Sequence, residues 1–343
     1  MRIDSFAVGF AAACLAAAQP LSAARHRFTY TILNVPGQPY TFLPGLPGEL
    51  NDHDEVVGGI RTATFNYLGF LFDHGKYTLY PGSNILGLVG INDRGLAVGG
   101  QYDSGFGSGY MTVDTKTGVI NNYMLGGPFN GAPIAINLSG IAIGEQRPDD
   151  TMQGFILRGD HGTKFLVPGS NIKYGGTYPS SINDTGTVVG SYTDKTGSHG
   201  FFRQGDAYTS FDVPGGTTPS PNFLTSDATT GGSYLYDNST KEAGFVRHRN
   251  HTTIINPPGA TLSAVSAMGP SGELAGTVYN DGTIIHGFIY RDHVYHRIVV
   301  PGSTATYIDS VNARGSLTGK YIDSAGQTHF FLARCPAGDV CEE

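Results

Sequence analysis

Histidine occurs at one recurring place in this chain, as His199, His286 and, displaced by one residue, His329. Imidazoles at a shared position could form a ligand set or an acid–base set. They belong to different repeats, however, and to the third strand out in each. That is too far apart for one tetrahedral metal site. The alternative is a residue at a strand start bonding its own turn. Aspartate recurs in the same connections, as Asp103, Asp150, Asp194, Asp237, Asp281 and Asp323. Calcium needs several oxygens converging on one point, whereas a single Asp in a short turn caps that turn's backbone. No metal and no cofactor is expected from either set.

A second group falls in connections that depart from the repeat: "PGQPYTFLPGLPGE", "GGPFNGAP", "PGSNIKYGGTYPSS" and "PGGTTPSPNF". Tyr40, Phe42, Phe129, Asn130, Tyr174, Tyr178, Asn222 and Tyr307 lie in or near such connections and have no role in the repeat pattern. Aromatic rings and amides around a shallow funnel suit sugars or extended polymers, by stacking and hydrogen bonding. The competing reading is that these rings pack the loops down. A proton-transfer pair would need one Tyr and one His within reach of a single substrate atom, and Tyr178 with His199 is the candidate. Ser-centred nucleophile motifs, phosphate loops and zinc motifs are not found.

These residues are carried by a repeat. Its apolar openers are Leu50, Ile91, Ile136, Ile182, Leu224, Met268 and Val311, spaced by 41, 45, 46, 42, 44 and 43 residues. Eight residues after each opener stands a glycine: Gly58, Gly99, Gly144, Gly190, Gly232, Gly276 and Gly319. A Gly-aromatic pair follows, as in Gly200-Phe201. This period, with turn signals every ten or so residues, predicts four short strands per unit. In the fourth unit they are "YPSSI", "TVVGSY", "HGFFRQ" and "AYTSFDV", with Gly186 left-handed in the first turn. A second turn centred near Lys195 would set Gly190 opposite Gly200 and Val189 opposite Phe201. Each sheet would then offer a bare patch to a neighbour's aromatic knob. The last copy lacks its fourth strand, and the segment 28–36, "FTYTILNVP", supplies the missing pattern. The expected fold is an all-β, seven-bladed β-propeller of four-stranded antiparallel blades, closed by the N-terminal strand completing the last blade.

Composition agrees with strands. Of 343 residues, 50 are glycine and none is tryptophan, and interior glycine costs a helix roughly 1 kcal/mol each. A net charge of −7 without Lys/Arg clusters argues against a nucleic-acid partner. Residues 1–24 read as a removed secretory signal, too short in their apolar run to span a membrane. The propeller is assigned to 25–334 and a tail to 335–343. Cys335 and Cys341, the cysteines left after removal, are expected to pair in an exported chain. A monomer is expected, secreted or periplasmic.

The motif written as "INDTGTVVGSYTDKTGSHGFF" from Ile182, with its "VPG" ending at Gly215, resembles the HAF-type extracellular repeat family of exported bacterial proteins. The resemblance spans nearly all of the chain beyond the leader. It implies export and a propeller-like fold. The expected role is a non-catalytic binding or structural module for carbohydrate or a cell-surface polymer. The alternative is a polysaccharide lyase using Tyr178 and His199.

Overall fold

The computed structural model describes residues 27–335, apart from 39, 65, 82, 104–106, 125–130, 148–150, 171–174 and 270. The leader, Phe129, Asn130, Asp150, Tyr174 and Cys341 therefore lie outside the described residues.

Strands run a, b, c, d outward in each unit. The fourth repeat is Gly176–Ile182, Val188–Asp194, Gly197–Gln204 and Ala207–Phe211, all antiparallel neighbours. Five sheets stand alone with four strands each. Repeats five and six instead share one eight-stranded sheet, joined by the single parallel pair Glu242 and Leu262. The expectation of seven separate sheets is thus corrected to five plus one fused sheet. In the last sheet the N-terminal strand Thr29–Leu33 pairs antiparallel with Thr328–Arg334, from Thr29 opposite Arg334 to Leu33 opposite Phe330.

The b–c register also differs from the expectation. Gly190 lies opposite Phe201, Val189 opposite Phe202 and Ser191 opposite Gly200. The strands pair down to Asp194 and Gly197, so the turn centres between Lys195 and Thr196 rather than on Lys195. That half-residue displacement moves every pairing by one and changes which residues share a face.

The glycine eight residues after the opener consequently answers to its own sheet. Strand a of the fourth repeat carries a bulge between Pro179 and Ser181, which tips a carbonyl toward strand b. A Cβ on Gly190 would sit 2.2 Å from Tyr178 O, 2.7 Å from Pro179 Cα and 2.8 Å from the Phe201 ring. The aromatic knob covers its own glycine and then meets the preceding blade. Phe165 of the third repeat packs edge-on against Phe201, ring centres 6.3 Å apart.

Burial lies between units. Ile143, Ile156 and Phe165 of the third repeat cluster with Ile182, Val188 and Phe201 of the fourth. Val189 and Phe211 of the fourth cluster with Tyr234 and Phe245 of the fifth. Leu33, Val35 and Leu332, from the two chain ends, cluster with Leu50, Val56 and Phe70 of the first repeat. Packing of this kind leaves no unit a core of its own.

Candidate functional site

Antiparallel order puts the a–b turns at one end of the sheets and the b–c and d–a connections at the other. Each a–b turn opens on an apolar residue followed, in five repeats, by asparagine. The amide oxygen of Asn92 accepts the backbone N–H groups of Arg94 and Leu96, both at 3.0 Å, which fixes the turn. Its Nδ2 donates to Asn137 O of the next repeat at 2.8 Å. Asn51, Asn137 and Asn183 repeat this, donating to Asn92 O, Asn183 O and Thr225 O. Asn312 of the last repeat donates to Asn51 O of the first at 2.9 Å. A second tier runs beside it: Asp93, Asp184 and Asp52 accept the backbone N–H groups of Asp52, Leu138 and Ala313. Burial, and then the neighbouring Asp93, raises the Asp52 carboxyl above its usual range.

These turns surround a cavity of about 670 Å³, lined among others by Asn92, Asp93, Asp184 and Asp227. Its asparagine amides, and one oxygen each of Asp52, Asp93, Asp184 and Asp227, are committed to holding the turns. Sequence reasoning set the funnel at the opposite end. The asparagine was visible in the motif, but its partner carbonyl lies some forty residues away, as from Asn92 to Asn137.

The channel is narrower further in. A cavity of about 190 Å³ is bounded by Gly48 and by strand a of several repeats, including Ser180, Phe223 and Ser310. In the first repeat, strand a stops at Phe42 opposite Gly59 and resumes at Leu50 opposite Val56. The intervening residues 43–49 leave the sheet, end in the 3-10 turn Pro47–Glu49, and partly plug the channel.

At the b–c end, Tyr40 is 55% exposed, and the Arg61 guanidinium sits 4.2 Å from its ring centre. In the adjoining last repeat the Lys320 ammonium sits 5.2 Å from the Tyr307 ring centre. Tyr279 packs against Tyr307 with ring centres 6.1 Å apart, and its hydroxyl is pushed up to about 12, first by burial. Three other candidates have packing roles. Phe42 lies over Gly59, where a Cβ would meet its ring at 2.2 Å. Asn222 donates to Val265 O of the next repeat at 2.9 Å. Tyr178 is half-buried opposite Ser191.

Tyr178 and His199 are not brought together. Tyr178, Ser191 and Gly200 share one face, and Tyr192 with His199 shares the other. His199 instead bonds Asp212 through Nδ1 at 2.7 Å and Thr196 through Nε2 at 2.8 Å. His286 and His329 each contact the aspartate of their own b–c turn, Asp281 at 3.0 Å and Asp323 at 2.8 Å. Those aspartates cap their turns, accepting the N–H groups of Thr283 and Ala325. Hydrogen bonds from Thr283, then from His286, hold Asp281 down to about 2. Among the described residues no group of three or more His, Cys, Asp or Glu has the arrangement of a metal centre.

No protein-family model matches the chain, and no curated protein does. Solved structures do. The chain is similar to virginiamycin B lyase from Staphylococcus aureus, at 16% identity and TM-score 0.56, covering 90% of this chain and 100% of that one. It is similar to a streptogramin B lyase at 12% identity and TM-score 0.56, covering 89% and 97%. The β-propeller domain of the Trilobed protease from Pyrococcus furiosus matches at 9% identity and TM-score 0.62, covering 88% and 99%. At such identities the likeness is one of fold. The chain is an all-β β-propeller built from four-stranded antiparallel blades.

Proposed function

We propose that this chain is an exported, non-catalytic propeller that binds a carbohydrate polymer at its b–c end, with seven blades closed into one ring. The observation that carries the binding role is the exposed Tyr40 ring beneath Arg61, with a second cation–tyrosine pair, Lys320 and Tyr307, in the last repeat. A sugar ring can stack on such a tyrosine while the cation bonds its hydroxyls or carboxylates. The separate faces of Tyr178 and His199 remove the one Tyr–His pair the lyase alternative relied on. The seven-blade reading treats the fused sheet as two blades meeting at one residue pair. It is supported by the Asn312 to Asn51 hydrogen bond and by the apolar cluster shared by the first and last repeats. The HAF-type repeat and the apolar leader support export, and an oxidising destination supports a Cys335–Cys341 disulfide.

A glycan array carrying neutral and acidic polymers tests the role. Binding that is lost in Tyr40→Ala and weakened in Arg61→Ala is expected. No binding to any polymer, or unsaturated sugar products on incubation, would sink the reading. Thiol titration of the unreduced exported chain should find no free thiol.

A further inference from the structure

At the junction of the last and first repeats, three buried oxygens have no hydrogen-bond partner: Glu49 Oε1, Asp309 Oδ2 and Thr318 Oγ1. Glu49 and Thr318 are fully buried. Leaving such groups unsatisfied costs the full desolvation of each. We propose that Glu49, Asp309 and Thr318 form a buried site for a hard divalent cation of the calcium type.

The backbone brings the three together. Glu49 ends the segment that leaves the first sheet, and its Oε2 accepts the N–H groups of Gly45 at 3.0 Å and Leu46 at 3.4 Å. Its other oxygen is left over. Asp309 is the bulge residue of strand a in the last repeat, between Ile308 and Ser310. Its carboxylate lies 3.9 Å from where a Gly45 Cβ would stand, on the residue that Glu49 grips. Thr318 lies close enough for its hydroxyl to favour the ionised Glu49.

The bulge position is informative. In the fifth and sixth repeats it is filled by Asn222 and Ser266, which donate to Val265 O and Ile308 O of the following repeat. An ionised Asp309 has no proton to donate. The chain places an acid where its fifth and sixth repeats place a donor to the next blade and its second and third place the apolar Val89 and Ile134, and sets a second acid against it. Two acids and a hydroxyl meet at this junction, and calcium accepts six to eight oxygens at about 2.3–2.6 Å. Gly48 and Ser310, neighbours of the two acids, line the 190 Å³ channel cavity, which can supply water for the remaining positions. The other charged or titratable groups around the pair are Lys320, which lowers Asp309, and Tyr279 with Tyr307, beyond which lies Glu242. Burial favours the neutral form of both acids, so the cation would displace a proton.

Terbium luminescence excited through tyrosine is the direct probe, because the chain has no tryptophan and Tyr279 feels the charge of Asp309. With the chelator-stripped chain at mildly alkaline pH, one terbium per chain should emit and calcium should displace it. Glu49→Gln and Asp309→Asn should each weaken binding about tenfold or more by removing a charged ligand. Should either fail to fold, Thr318→Val still removes one oxygen at nearly constant shape and should weaken it several-fold. Asp52→Asn in the turn-lined cavity should change nothing. Absence of binding, binding that survives in Glu49→Gln, Asp309→Asn and Thr318→Val, or binding lost in Asp52→Asn would each overturn the proposal.

Discussion

Gly190 is held by two neighbours at once, a bulged carbonyl at 2.2 Å and an aromatic ring at 2.8 Å from any added Cβ. The carbonyl is backbone and cannot swing away. Gly190→Val should therefore lose about 1–3 kcal/mol or more by overpacking, although valine is the better strand former. Thr187→Val, three residues earlier, should cost less, since its hydroxyl has only Thr185 as a side-chain partner, at 3.1 Å. Phe201→Ala should cost about 3–5 kcal/mol by opening a cavity between two blades. Urea midpoints of the three variants check this ordering; equal midpoints for Gly190→Val and wild type would refute it. That the glycine mattered was legible from its recurrence. Its reason was not, because a one-residue bulge and a half-residue shift of a turn leave no mark on composition. Asp309 adds a pH prediction at the same scale. Burial lifts it to about 6 and lifts Glu49 well above its usual range. Between the unfolded carboxylate value near ~4 and about 6, the folded chain holds more protons than the unfolded one. Without divalent cations, stability should fall as pH rises through that window. Asp309→Asn should flatten the slope when denaturation is followed in chelator across the window. A slope of opposite sign would contradict the burial.

At the scale of the element, the a–b turn is the unit that joins blades. One asparagine side chain closes its own turn with its oxygen and reaches the next turn with its nitrogen. Asn92→Asp separates the two jobs, because the carboxylate still accepts but no longer donates. It should cost about 1–3 kcal/mol by stranding a buried carbonyl interaction beside a new charge. Asn122→Asp on an exposed outer strand should stay within about 0.5 kcal/mol of wild type. Thermal melts of both variants make the comparison, and equal melting would remove the joining role. The fifth repeat shows what the turn tolerates: Thr225 replaces the asparagine, and Ala228 takes the left-handed conformation at φ 64° where Gly186 sits at 80°. Strand positions were readable because alternation and turn residues are local signals. The cavity-lining ring was not, since each bond in it joins residues more than forty positions apart. The candidate tyrosines illustrate the same limit. Tyr40 and Tyr307 meet cations from the neighbouring strand, whereas Tyr178 meets a serine, and only pairing decides which.

For the whole molecule, the decisive feature is that the chain's two ends meet in one sheet. Thr29–Leu33 forms the outer ladder of the last repeat, and Leu33 and Val35 are buried against the first. Phe28 is buried between the sixth and last repeats. The segment therefore covers two inter-blade seams as well as an edge. Removing residues 1–37 should expose Leu33, Val35 and Phe28 contacts worth roughly 5 kcal/mol or more together. It should also free the Thr328–Arg334 edge, which invites pairing with any extended peptide. The shortened chain should melt well below the intact one. A synthetic peptide of residues 27–37 should raise its melting temperature in proportion to the logarithm of peptide concentration, because the peptide binds only the folded chain. A peptide with Leu33 and Val35 both changed to Asp should have no effect, since its ladder is intact but its apolar anchors are gone. If the shortened chain melts like the intact one, the blades cohere without the N-terminal strand. If both peptides rescue equally, the edge ladder matters and the buried anchors do not.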